Sequence, residues 1–158
     1  MRKIVLTSVA LVALTIAGCS KKEPEVAVQS GMTDAERLAQ MASQIQNQVQ
    51  NVYFDFDKYN VRADMKSVVA SNAALFNQTG AESIQVKVEG NCDEWGTDEY
   101  NYALGLKRAK SVKDALVAEG VNADRISVVS YGESNPVCTD RTKACDAQNR
   151  RDEFRVFY

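Results

Sequence analysis

The chain has 158 residues, 25% of them charged and 45% hydrophobic, with a formal net charge of −2. These values suit one globular domain with appendages, and no basic patch with interleaved aromatics marks it as a nucleic-acid binder. Histidine is absent, which closes Ser-His triads, histidine general-base catalysis and His-ligated zinc.

Met1-Arg2-Lys3 is a positive start, followed by an apolar run from Ile4 to Ala17. That run is too short for a membrane span, which needs about 20 apolar residues. It ends in Leu14-Thr15-Ile16-Ala17-Gly18-Cys19, and the polar Ser20-Lys21-Lys22 follows at once. The expected organisation is a signal peptide over 1–18, a tether and short helix over 19–50, and a folded domain over 51–158. Thr33 and Glu36 form a capping box ahead of Leu38, Met41, Ile45 and Val49 at helical spacing. The pattern leaves open whether this helix packs on the domain or acts as a spacer.

Val52, Phe54 and Phe56 alternate with Tyr53, Asp55 and Asp57, which predicts a first strand. Met65, Val68, Val69, Ala73 and Phe76 predict a helix closed by Thr79-Gly80. Ile84, Val86 and Val88 alternate with polar residues, so one face of this second strand is expected to be buried and the other polar. After a polar loop, a helix carries Leu104, Arg108, Val112 and Leu116 on one face and ends at Gly120. Ile126 to Tyr131 predicts a third strand, Gly132 to Asn149 a loop, and Phe154, Val156 and Tyr158 a last strand. The order β-α-β-α-β-β implies a two-layer α/β sandwich with helices on one face of the sheet.

Arg108 is the anomaly, because a guanidinium on a core-facing stripe is costly unless something anionic meets it. Asp93 lies just upstream, near a helix N-terminus, and Asn101 shares the stripe. A carboxylate, a guanidinium and helix N–H groups suit a ligand carrying both an ammonium and a carboxylate. The spacing equally allows a structural Asp93–Arg108 ion pair. Cys138 and Cys145 bracket the polar CTDRTKAC and are expected to be bonded, with Cys92 left as a sheltered thiol. The rival pairing is Cys92 with Cys138. No CxxC spacing is present, and neither a metal nor a cofactor is expected.

Asn101-x-x-Leu104-Gly105-x-x-Arg108-Ala109-x-x-Val112-x-x-x-Leu116 resembles the signature of the OmpA-like peptidoglycan-binding domain family. The Val52–Tyr59 strand, the Val88–Thr97 loop, the Ile126–Gly132 run and Asn149-Arg150-Arg151 fit the same family, over roughly residues 51 to 158. Several motifs in fixed order make the resemblance specific. It implies non-covalent binding of the meso-diaminopimelate of the peptidoglycan stem peptide. Asp93 and Arg108 map to the family's ligand residues, with Asn101, Asp55, Asp57 and Arg150 near the same pocket. It also implies TolB and other Tol proteins as partners. The residues before Cys19 resemble a bacterial lipobox, which implies lipidation of Cys19. Ser20 then points to an outer-membrane anchor facing the periplasm. The chain departs from the family at Asn91, Cys92 and Trp95, and Trp95 either stacks on the ligand or packs on its loop. Two other readings stand beside this one: a wall-binding module of another envelope assembly, and a cell-wall hydrolase. The hydrolase reading lacks a nucleophile–base pair.

Overall fold

The computed structural model describes residues 31–158; the expected signal peptide, Cys19 and most of the tether lie outside the described residues. A compact unit runs from Met32 to Tyr158. Its elements are α1 (Asp34–Gln48), β1 (Val52–Tyr53), α2 (Lys66–Phe76), β2 (Gln85–Asn91), α3 (Asp98–Ala118), β3 (Ile126–Gly132), α4 (Lys143–Asn149) and β4 (Arg151–Phe157). The sheet is four-stranded, in the order β1-β4-β2-β3. β2 and β3 are parallel, joined by α3, while β4 runs antiparallel between β1 and β2. The α/β layering expected from the sequence is therefore present, with the last strand inserted at the centre.

The helices bury their apolar stripes on one face of the sheet. Val86 and Val88 of β2, Phe154 of β4, Val69, Ala73 and Phe76 of α2, and Val112 and Leu116 of α3 share one core. Each Val, Leu and Phe side chain among them contributes about 1.5–3 kcal/mol of burial. The other face carries Lys87, Glu89 and Arg155. Glu89 is almost fully covered there, with Lys87 Nζ at 3.1 Å and Arg155 Nε at 3.3 Å. Polar alternation on β2 thus builds a roof of ion pairs rather than a fully wetted face.

α3 sits directly on β2 where two glycines meet. A side-chain carbon on Gly90 would run into the Gly105 carbonyl, and one on Gly105 into Gly90 and Ser130. This contact sets the height of α3 and so the depth of Arg108.

α1 packs on the domain. Thr33 caps it with the predicted box, and Ala42 and Ile45 are buried. Gln46 donates through Nε2 to the Phe154 carbonyl at 2.9 Å and accepts from the Val156 N–H at 2.9 Å.

Two elements differ from the sequence expectation. β1 stops at Tyr53, because the chain turns at Asp57, which has a φ of 56°, and Lys58 N–H bonds back to Asp55. The segment expected to be loop over 132–149 contains α4. Thr142 caps it, and Cys138–Cys145 holds its first turn with a Cα–Cα distance of 5.2 Å. Seven residues are too few for a hydrophobic period to declare a helix.

Candidate functional site

The site lies where β2 ends and α3 begins, beneath the Asp55–Lys58 turn. Thr97 caps α3 by accepting from Tyr100 N–H, and Asp98 and Glu99 sit in its first turn, as the macrodipole favours. Arg108 follows nearly three turns later and is fully buried. Its Nε donates to the Lys58 carbonyl at 2.8 Å, Nη1 to the Asn91 carbonyl at 2.9 Å, and Nη2 to the Asp55 carbonyl at 3.2 Å. Nη1 also reaches Cys92 Sγ at 3.4 Å, and the guanidinium lies 5.1 Å from the Phe54 ring centre. A guanidinium has five N–H groups. One on Nη2 is left without a partner among the described residues.

The structural alternative raised by the sequence, a direct Asp93–Arg108 ion pair, is not what forms. Asp93 instead pairs through Oδ2 with Arg150 Nη1 at 2.8 Å. Arg150 stands at the end of α4 and also grips the Phe54 carbonyl at 3.1 Å. Oδ1 of Asp93 has no partner among the described residues. Arg108 is met by neutral carbonyls, which satisfy three of its five N–H groups without cancelling its charge. Burial pulls its pKa below the ordinary arginine value, while nearby Asp152 and Asp93 pull it back up.

The remaining expected residues fall around this centre. Asn101 is buried, donates to the Asp93 carbonyl at 3.3 Å and to Glu133, and leaves its own Oδ1 unpaired. Asp57 accepts from the Tyr100 hydroxyl. Asp55 contributes its carbonyl to Arg108, while its exposed carboxylate faces Arg62 at 3.6 Å. Cys92 is a buried free thiol, pushed up to about 11 by burial.

Asp152 was not anticipated. It is completely buried, and neither carboxylate oxygen has a hydrogen-bond partner among the described residues. Burial holds its carboxyl well above the usual carboxylate range, with Arg108 pulling the other way. The signal was available: Asp152 shares the parity of Phe154 and Val156, the core-facing residues of β4.

Known proteins can be set against this geometry. The OmpA family model matches residues 53–150. The chain belongs to the OmpA family. Relatives of the chain include proteins that share one name. The peptidoglycan-associated lipoprotein of Pasteurella multocida is 38% identical over 151 residues, covering 96% of this chain and 95% of that protein. The Haemophilus influenzae protein of the same name is 43% identical over 107 residues, 68% of this chain and 69% of its own. Among solved structures, the peptidoglycan-associated lipoprotein of Burkholderia pseudomallei superposes with a TM-score of 0.64 at 37% identity, over 68% of this chain and 90% of that one. The C-terminal domain of Helicobacter pylori MotB reaches a TM-score of 0.63 at 22% identity, over 70% of this chain and 85% of that one, which speaks to the fold alone. The OmpA family and these lipoproteins are non-enzymatic structural proteins, which sets the hydrolase reading aside.

Proposed function

We propose that this protein is an outer-membrane lipoprotein that binds peptidoglycan non-covalently through meso-diaminopimelate. It would tether the membrane to the wall and work with TolB and the other proteins of the Tol–Pal system. The observation that carries the binding reading is the charge balance at the site. Arg108 is buried with carbonyls as its direct partners, and Asp93, which acts on its charge, has one oxygen without a partner among the described residues. Diaminopimelate within a stem peptide keeps an ammonium and a carboxylate on its distal stereocentre. Asp93 takes the ammonium. Arg108, with its spare N–H and the N–H groups at the start of α3, takes the carboxylate. The Arg108 fork is planar, and a lysine cannot reproduce it. The anchor and the Tol partners rest on the relatives and on the residues around Cys19.

Sacculus pull-down tests the site. Asp93→Ala and Arg108→Lys should each weaken binding by roughly thirtyfold to several thousandfold. Circular dichroism of Asp93→Ala should stay native, and free diaminopimelate should compete with the wild type. Peptidoglycan with lysine at the third stem position should bind far more weakly, since it lacks the carboxylate. Folded variants that bind sacculi like the wild type would reduce Asp93 and Arg108 to structural groups. Acyl-precursor labelling of the wild type and of Cys19→Ser tests the anchor; label on the serine variant refutes it.

A further inference from the structure

Next to the buried Asp93–Arg150 pair lies a cleft of about 470 Å³, lined by Phe56, Trp95, Lys143, Asp146 and Arg150. The volume falls within the range of small-ligand sites. Phe56 and Trp95 are 60% and 58% exposed, a high figure for two large aromatics side by side. Trp95 is not a loose side chain. Its indole N–H donates to Asp146 Oδ2 at 3.0 Å. Asp146 sits on α4, whose first turn is stapled by Cys138–Cys145 and capped by Thr142. The ring is therefore oriented before anything binds, which lowers the ordering cost of a contact.

The charges of the cleft are not all internally matched. Arg150 is paired with Asp93, while Asp146 accepts the neutral indole N–H of Trp95 and keeps its charge. Lys143 is exposed and has no hydrogen bond or ion pair among the described residues. The cleft thus offers two apolar walls and one free ammonium. Arg150 links it to the site, since the same guanidinium reaches Asp93 and forms part of the cleft wall.

We infer that this cleft reads the stem residue that precedes diaminopimelate, and that Lys143 recognises its free carboxylate. The inference rests on the wall-binding reading above. That stem residue is a glutamate joined through its side-chain carboxyl, so its α-carboxylate is free unless it is amidated. Phe56 and Trp95 cover the apolar part of the stem while Lys143 pairs with the carboxylate. The amidation state of the glutamate then becomes a specificity determinant, set by α4 and apart from Asp93 and Arg108.

The chain's single tryptophan makes the test direct. Free diaminopimelate, the Ala-γGlu-diaminopimelate tripeptide and its glutamate-amidated form are titrated by tryptophan fluorescence and calorimetry. Both tripeptides should shift Trp95 emission, and free diaminopimelate should not. The acidic tripeptide should bind roughly three- to fivefold more tightly than the amidated one, and Lys143→Gln should erase that difference without changing affinity for free diaminopimelate. Equal affinity of the two tripeptides for the wild type overturns the inference. So does an emission shift that appears only when a disaccharide is attached, which would assign the cleft to glycan. Failure of free diaminopimelate and both tripeptides to bind sinks the wall-binding reading itself, and this inference with it.

Discussion

Two arginines in this molecule do the same thing at opposite ends of the sheet. Arg108 grips the carbonyls of Asp55, Lys58 and Asn91. Arg125 grips those of Phe76, Ala81 and Ile84, at 3.0, 2.6 and 2.7 Å. In both, burial lowers the pKa from the ordinary arginine value. Their surroundings differ. Arg125 is only half-buried, and the acid acting on it is the exposed Glu82. Arg108 lies at the end of the fold that buries Asp93, Asn101 and Asp152, with unpaired oxygens on the last two. A carbonyl grip is thus a structural device in itself. What sets the candidate binding end apart is the polar material left unsatisfied beside it.

The comparison can be broken most directly at the structural end. Arg125→Ala should cost about 2–3 kcal/mol in denaturant unfolding, because three acceptors lose their donor. Sacculus binding by the folded variant should be unchanged. A folded Arg125→Ala protein that no longer binds would erase the distinction between the two ends.

The disulfide sharpens the comparison from the other side. Cys138→Ser with Cys145→Ser should cost about 2 kcal/mol, from a loop of sequence separation 7. Hydrogen exchange should rise in α4 and spare the segment around Ile84 and Arg125. A uniform rise would mean that the staple supports the whole fold rather than the binding end.

Asp152 acts with the opposite sign. Its carboxyl is held well above the unfolded value of about 4. The folded state therefore holds more protons, and this group makes wild-type stability fall as pH rises past that value. Asp152→Asn removes that dependence. The variant should gain steadily on the wild type as pH climbs from about 4 toward the folded pKa, measured as the difference in unfolding free energy. A loss that grows with pH would show that Asp152 is ionised and needed by Arg108.

Much of the architecture was legible because the patterns are local. Alternation at Ile84, Val86 and Val88, and the four-residue stripe from Leu104 to Leu116, announce one strand and one helix each. The stripe also singled out Arg108, which the structure buries completely. What stayed hidden depends on pairing between distant segments. The placement of β4 between β1 and β2 has no local signature. Nor does the choice of Arg150, 57 residues away, as the partner of Asp93. The same holds for the Asp146 carboxylate that orients Trp95. The first strand was overread because Phe54 and Phe56 keep the alternation, while the left-handed backbone at Asp57 ends the pairing.

Gln46 carries a consequence for how this domain can be excised. β1 pairs only with Arg151 and Asp152, so the outer margin of β4 beyond them has no strand beside it among the described residues. There the Gln46 amide supplies one donor and one acceptor, a one-residue substitute for the missing neighbour. An uncovered strand margin is a template for pairing with another chain. A fragment trimmed to residues 53–150 would discard both α1 and the central β4. One beginning at Asn51 would keep every residue of the site, yet leave that margin bare. Its expected failing is self-association in solution, and the remedy is to begin the fragment at Met32, ahead of Thr33.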